Sequence, residues 1–120
     1  MPSFKRSVEE IRAGLRTCGL VPRVPVIQGD LENCVGEYDP NPPELITIKP
    51  GLTGCELWRI VLHEYGHAFG LGHQKRGIMH YKRVTKSDKS SKEPTARQKK
   101  AWCMEIARAV LKHRSKQWRV

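Results

Sequence analysis

The chain has 120 residues, of which 38% are hydrophobic, and a formal net charge of +10 at pH 7. This length predicts one domain, residues 1–120, with a modest hydrophobic core that does not require a disulfide or a metal ion to fold. The composition excludes an intrinsically disordered chain. No stretch approaches the roughly 18 consecutive apolar residues of a membrane span, and the N-terminus MPSFKRSVEE lacks a signal-peptide core, so we expect a cytoplasmic protein without a membrane partner.

The N-terminal half predicts one helix followed by three strands. Ser7 and Glu10 form an S-x-x-E capping box, apolar residues follow at helical spacing, and Gly19 is placed to end the helix. The turn signals Gly29-Asp30 and DPNPP then separate three short apolar stretches. The predicted strands are Arg23–Gln28, Cys34–Tyr38 and Leu45–Lys49.

The C-terminal half predicts two more helices. Thr53 and Glu56 form a second capping box, which opens a helix that runs through HEYGHAFG. Residues 82–94 are polar and lysine-rich, which is typical of an exposed connection. Thr95 with Gln98 opens a closing helix over about 95–113. This order of elements predicts an α+β fold with a sheet of about three to four strands, which we expect to be monomeric.

The charge is concentrated in the C-terminal part of the chain. Residues 1–73 hold 7 Lys/Arg against 9 Asp/Glu, a net −2, whereas residues 74–120 hold 15 against 3, a net +12. Such a surface can bind nucleic acid or another polyanion. The alternative is a solvated helix face and tail, since no recognised nucleic-acid motif accompanies the charge.

The four cysteines, Cys18, Cys34, Cys55 and Cys103, contain no CxxC pair, which argues against a zinc finger or a thioredoxin-type site. In a protein without a secretion signal we expect buried free thiols. One or two disulfides are the alternative in an oxidising compartment.

Three histidines have spacings that predict a metal site. His63 and His67 are four residues apart, so they project from one face of a helix and can bind one ion at about 2.0–2.1 Å. On a continuous helix His73 would lie about 9 Å further along the axis than His67, too far for a shared ion. Gly70 can adopt the left-handed conformation that reverses the chain, and this makes His73 a credible third ligand.

The pattern His63-Glu64-x-x-His67-x-x-Gly70-x-x-His73, followed by Met79, resembles the signature of metzincin zinc metallopeptidases. The resemblance implies a minimal metzincin-like domain with a mixed sheet, an active-site helix, a Met-turn and a C-terminal helix. It also implies that the Met79 side chain forms an apolar floor beneath the metal.

Two further stretches resemble known metalloprotease segments. The sequence GIMHY is similar to the Met-turns of astacins and serralysins, in which a tyrosine two residues after the methionine reaches the zinc or the oxyanion. This makes Tyr81 a candidate catalytic residue. The stretch RTCGLVP loosely resembles the matrixin pro-segment, whose cysteine caps the zinc, although Cys18 also fits the end of a capped helix.

The expected chemistry is hydrolysis by one Zn²⁺ ion with an open coordination position. Zinc bound by three neutral imidazoles lowers the pKa of its water to about 7. Glu64 is placed to take the proton of that water as general base and to pass it to the leaving amine.

We therefore predict a zinc-dependent endopeptidase that acts on a peptide or protein substrate. The substrate would pair with an edge strand, either Cys34–Tyr38 or Leu45–Lys49. Two alternatives stay open: a zinc amidase acting on cell-wall peptides, and a zinc-braced, non-catalytic module that binds nucleic acid through residues 74–120.

Overall fold

The computed structural model describes residues 2–80 and 91–117. Three helices and three strands follow one another in the order α1, β1, β2, β3, α2, α3. Their bounds are Phe4–Thr17 for α1, Val26–Gln28 for β1, Gly36–Asp39 for β2, Leu45–Ile48 for β3, Gly54–Ala68 for α2 and Ala96–Gln117 for α3. The predicted α+β class and element order are confirmed.

Helix α1 begins earlier than the sequence predicted. Its N-cap is Ser3, whose hydroxyl accepts a hydrogen bond from Arg6 N–H at 3.2 Å. The predicted cap, Ser7, is instead buried one turn inside the helix. Both serines have a suitable side chain, and a start at Ser3 adds one more turn of backbone hydrogen bonds, which include Ser7 N–H to Ser3 O at 3.0 Å. The predicted end holds, since Gly19 has φ +94°.

The sheet is mixed, and β3 is its central strand. The strand order is β1-β3-β2, with β1 parallel and β2 antiparallel to β3. All three strands are shorter than or shifted from the predicted stretches. Strand β1 lacks the predicted residues 23–25, because Pro22 and Pro25 have no backbone N–H to donate to a neighbouring strand. Because β3 is flanked on both sides, Leu45–Lys49 was wrong as a candidate edge strand, whereas β2 lies at an edge.

Helix α2 is the centre of the molecule, since it packs against β2, β3, α1 and α3. Thr53 is its N-cap, but the hydroxyl makes no capping hydrogen bond, so the predicted capping box does not form. Among the described residues no helix is both long and apolar enough to cross a membrane. The largest fully buried side chains include Trp58, Tyr65, Ile11, Leu15, Ile46, Ile48, Leu62, Met79 and Ile106.

Helix α3 begins with the capping box that the sequence predicted. Thr95 N–H donates to Gln98 Oε1 at 2.9 Å, and Gln98 N–H donates to Thr95 Oγ1 at 3.1 Å. The helix continues four residues beyond the predicted end at 113. Of the predicted polar connection 82–94, residues 82–90 lie outside the described residues. The adjoining residues 91–94 pack against the start of α2, where Cys55 N–H donates to Lys92 O at 2.8 Å.

The four cysteines, all of which lie in the described residues, form no disulfide, and they are not uniformly buried. Cys55 and Cys103 are buried, Cys18 is intermediate and Cys34 is exposed. The expectation of buried thiols is therefore wrong for Cys34, which precedes β2 in an exposed loop.

Candidate metal centre

The first two histidines of the predicted site meet on one face of α2. The Nε2 atoms of His63 and His67 lie 3.1 Å apart, and the ring centroids are separated by 4.7 Å. This is the arrangement expected for residues four positions apart on a helix. Both side chains are half-buried, so the pair is held between the helix and the segments that follow it.

Gly70 reverses the chain as predicted and ends α2. Its φ is +97°, a left-handed conformation that glycine adopts without a Cβ clash. Leu71 N–H donates to Gly66 O, and Gly70 N–H donates to His67 O, both at 2.9 Å. These two bonds make a Schellman motif. The turn delivers His73 to the other histidines, with ring centroids 5.3 Å from His63 and 4.9 Å from His67.

The three histidines form a group that could hold a metal ion. One ring nitrogen from each of His63, His67 and His73 lies within 4.8 Å of the others. Two nitrogens bound to one zinc ion are at most about 4 Å apart. The His63–His67 pair already satisfies this limit, and the exposed His73 ring lies close enough to reach it by a small side-chain movement.

Backbone carbonyls orient the two helical histidines. The His63 Nδ1 atom lies 2.6 Å from Ile78 O, and the His67 Nδ1 atom lies 2.8 Å from Leu71 O. Carbonyl oxygens only accept hydrogen bonds, so each Nδ1 carries a proton, and in the neutral imidazole each Nε2 then keeps its lone pair. Such hydrogen bonds commonly fix the tautomer of metal-bound histidines.

This arrangement can accommodate a positive ion between the rings. Two unprotonated Nε2 atoms 3.1 Å apart repel each other unless a positive charge lies between them. Burial lowers the pKa of His63, the hydrogen bond to the Ile78 carbonyl opposes this effect, and the charges of His67 and His73 lower the pKa further. A protonated imidazolium is therefore disfavoured, and the neutral donor set fits Zn²⁺.

Glu64 directly follows His63 on α2 and is not one of the three grouped ligands. Its side chain is buried, with 7% exposed. Burial, and secondarily the charge of Glu37, raises the pKa of Glu64 to about 7. Strand β2 covers it closely, because a Cβ at Gly36 would lie 3.1 Å from Glu64 Oε2. A carboxyl group with this pKa can both accept and release a proton near neutral pH.

Met79 lies in the core against the middle of α2. It is 2% exposed, and a Cβ at Gly66 would overlap its Sδ atom. The segment before it turns at Gly77, with φ +78°, and closes through Gln74 N–H donating to Met79 O at 2.8 Å. Sequence reasoning missed Gly66, although a glycine inside a helix already signals close packing.

Two further residues were candidates for the site on sequence grounds. Tyr81 lies outside the described residues. Cys18 is the C-cap of α1 and is absent from the grouped ligands among residues 2–80 and 91–117. A cysteine cap on the metal, which the RTCGLVP stretch suggested, therefore has no support in this arrangement.

Comparison with protein families gives a match over the C-terminal half of the chain. The family named Metallopep and described as "Putative peptidase family" matches residues 60–119, which is half of the chain and includes all three histidines. Comparison with curated proteins and with solved structures gives no match.

Proposed function

Since the chain belongs to the peptidase family Metallopep, we propose that it is a zinc-dependent endopeptidase of metzincin type. The observation that carries this proposal is the convergence of His63, His67 and His73, with two Nε2 lone pairs directed at one point. Three neutral protein ligands leave zinc a coordination position for substrate or water, as in catalytic rather than structural sites.

In this proposal His63, His67 and His73 hold the metal. A zinc ion held there would supply Lewis acidity, which would lower the pKa of a water to about 7 and polarise a carbonyl. The chain contributes the neutral tautomers of His63 and His67, which the carbonyls of Ile78 and Leu71 fix.

Glu64 acts as the general base. It follows His63 on α2, and its pKa of about 7 suits it to accept a proton from the attacking water. The same carboxyl group then gives the proton to the departing amine. Tyr81 remains a predicted contributor to oxyanion stabilisation, because it would follow Met79 by two residues.

The substrate would bind along β2. This strand pairs with β3 on one side only and crosses α2 where Gly36 contacts Ile60 and Glu64. An extended peptide can pair with the outer backbone groups of such an edge strand. The peptide bond would then pass beside Glu64 and the histidines.

The test is cleavage profiling of zinc-loaded protein on proteome-derived peptides, with Glu64→Gln as the inactive variant. The matched control is Glu56→Gln, which removes an acidic charge from the first turn of the same helix. We expect cleavage by wild type and Glu56→Gln and a loss of at least about 100-fold in Glu64→Gln, consistent with loss of a general base. Equal cleavage by all three proteins would contradict the general-base role of Glu64. No cleavage by any of them would contradict the proposal that the protein is a peptidase.

We also propose a second function, nucleic-acid binding by α3. The helix contains seven Lys/Arg and one acidic residue, Glu105. At 100° per residue, Arg97, Lys100, Arg108 and Lys112 share about one third of the circumference, opposite the buried Cys103, Ile106 and Val110. From Arg97 to Lys112 this basic face extends about 23 Å, long enough to contact several phosphates of one duplex.

Salt dependence tests this second function. If the basic face contacts about four phosphates, the logarithm of the binding constant should fall with the logarithm of salt concentration with a slope of about −3 to −4. The double variant Arg108→Glu/Lys112→Glu should bind at least about 10-fold more weakly, whereas Lys5→Glu/Lys49→Glu, which reverses two exposed charges elsewhere, should change binding less. A flat salt response, or equal losses in both variants, would contradict specific use of α3.

A further inference from the structure

Helix α3 contacts the segment that carries Met79 through one carboxylate. Glu105 Oε2 accepts a hydrogen bond from Ile78 N–H at 2.7 Å. Glu105 also lies directly over Gly77, where a Cβ would be 2.5 Å from Oε2. The carboxylate therefore packs on the glycine and binds the next backbone donor, at the point where the chain turns with a left-handed φ of +78°.

The same residue, Ile78, contacts the metal centre through its carbonyl. Ile78 O lies 2.6 Å from His63 Nδ1, so the backbone of one residue is bound on its N–H side by Glu105 and on its C=O side by His63. The Ile78 side chain is itself buried, with 4% exposed. A carboxylate on α3 is thus linked through one residue to the ring of a histidine on α2.

We infer that Glu105 is a positioning residue for the metal site. It holds the 77–79 segment so that the Ile78 carbonyl faces His63 and keeps the His63 Nε2 lone pair directed at the ion. This inference rests on the proposed function only in that the three histidines bind zinc. Removing a hydrogen-bond partner of a metal-bound histidine typically lowers metal affinity by about 10–100-fold. Glu105 does not contact His63 itself but binds the residue whose carbonyl does, Ile78.

The position of Glu105 in the sequence supports this role over a general surface role. It is the one acidic residue in the 22-residue α3, beside seven cations. A charge at that position is not needed to keep the helix soluble. Its carboxylate is instead used to bind a backbone donor in another segment, with the short distance typical of a charge-assisted hydrogen bond.

Three variants distinguish the effect of the hydrogen-bond acceptor at position 105 from the effect of its negative charge. Glu105→Ala removes the acceptor, Glu105→Gln keeps an oxygen acceptor but removes the charge, and Leu111→Ala truncates a side chain that is 54% exposed on the same helix. We expect Zn²⁺ affinity, measured by competition with a chromophoric chelator, to fall about 10-fold in Glu105→Ala. It should change less than about 3-fold in Glu105→Gln and in Leu111→Ala.

Amide hydrogen exchange of Ile78 in the metal-free proteins provides the second measurement. Exchange should be faster in Glu105→Ala than in wild type and near wild type in Glu105→Gln, because the Ile78 N–H loses its acceptor only in the alanine variant. Circular dichroism should show the same helix content in all three variants. This measurement does not require catalysis, so it distinguishes failure of the inference from failure of the peptidase.

The inference would be overturned by wild-type zinc affinity in Glu105→Ala. It would also be overturned if Glu105→Gln lost as much affinity as Glu105→Ala, since the charge rather than the hydrogen bond would then matter. Unchanged exchange of the Ile78 amide in Glu105→Ala would show that the contact itself does not hold the segment. Faster exchange together with weaker zinc binding in Glu105→Ala alone supports the positioning role.

Discussion

Met79 packs so closely on Gly66 that a Cβ at position 66 would overlap its Sδ atom and lie 2.9 Å from its Cε atom. Gly66 is the fourth residue of the HExxH sequence and directly precedes His67, so the segment that carries Met79 and the helix that carries two of the histidines share this contact. The absence of a side chain at Gly66 therefore lets the 77–79 segment approach α2.

Gly66→Ala should destabilise the protein even though alanine favours helices. Alanine gains up to about 1 kcal/mol in a helix interior relative to glycine, whereas overpacking a buried contact costs about 1–3 kcal/mol. We expect a net loss of up to about 2 kcal/mol in the free energy of unfolding, measured by urea denaturation. Gly72→Ala is the control, because a Cβ there meets nothing within 4 Å. A more stable Gly66→Ala variant would contradict the close contact.

Gly36→Ala should reduce catalysis and leave zinc binding intact. A Cβ at position 36 would lie 2.8 Å from Ile60 Cγ2 and 3.1 Å from Glu64 Oε2, so it would displace the proposed base without touching the histidines. Misplacing a catalytic group by about 1 Å can cost 100-fold in rate. We expect kcat/KM to fall at least about 10-fold while the zinc affinity stays within about 2-fold of wild type. An equal loss of zinc affinity would mean that β2 supports the metal site instead.

The histidine cluster was predictable because short-range geometry determines it. The four-residue spacing of His63 and His67 and the reversal at Gly70 act over a few residues, and the structure brings His73 to them. The capping box at Thr95 is equally local and was confirmed. The start of α1 was not, because Ser3 and Ser7 both satisfy the local preference and only the full helix distinguishes them.

Contacts between distant segments could not be predicted from spacing. No sequence pattern indicates that β3 lies between β1 and β2, since the parallel β1–β3 pair is formed by strands that are not consecutive. The contacts of Gly66 with Met79 and of Glu105 with Ile78 join residues 13 and 27 positions apart. They depend on how α2 and α3 pack, which a single sequence does not reveal.

Zinc should stabilise the folded protein through the three histidines. A ligand that binds only the native state at 100 times its Kd adds about 2.7 kcal/mol to the free energy of unfolding. We expect added Zn²⁺ to raise the Tm of wild type and EDTA to reverse the effect. His63→Ala should lose most of this rise, whereas His80→Ala removes a nearby histidine that is absent from the cluster and should keep it. An equal rise in His63→Ala would point to zinc binding elsewhere.

The cysteines should react with thiol reagents at very different rates. Burial, and secondarily the neighbouring Cys18, raises the pKa of Cys103 to about 12, so this thiol stays protonated at pH 8 and becomes a thiolate only as the pH approaches 12. Cys34 is exposed. We expect rapid labelling of Cys34 by iodoacetamide at pH 8 and labelling of Cys103 only after unfolding, located by peptide mass spectrometry. Rapid labelling of Cys103 in the folded protein would contradict its packing between α1 and α3.

X-ray absorption spectroscopy at the zinc edge, on wild-type protein loaded with one equivalent of Zn²⁺, tests the metal assignment most directly. If His63, His67 and His73 surround the ion as proposed, the spectrum will contain three imidazole nitrogens at about 2.0–2.1 Å and one light, exchangeable ligand. A sulfur scatterer at about 2.3 Å, or fewer than three imidazoles at full loading, would contradict it.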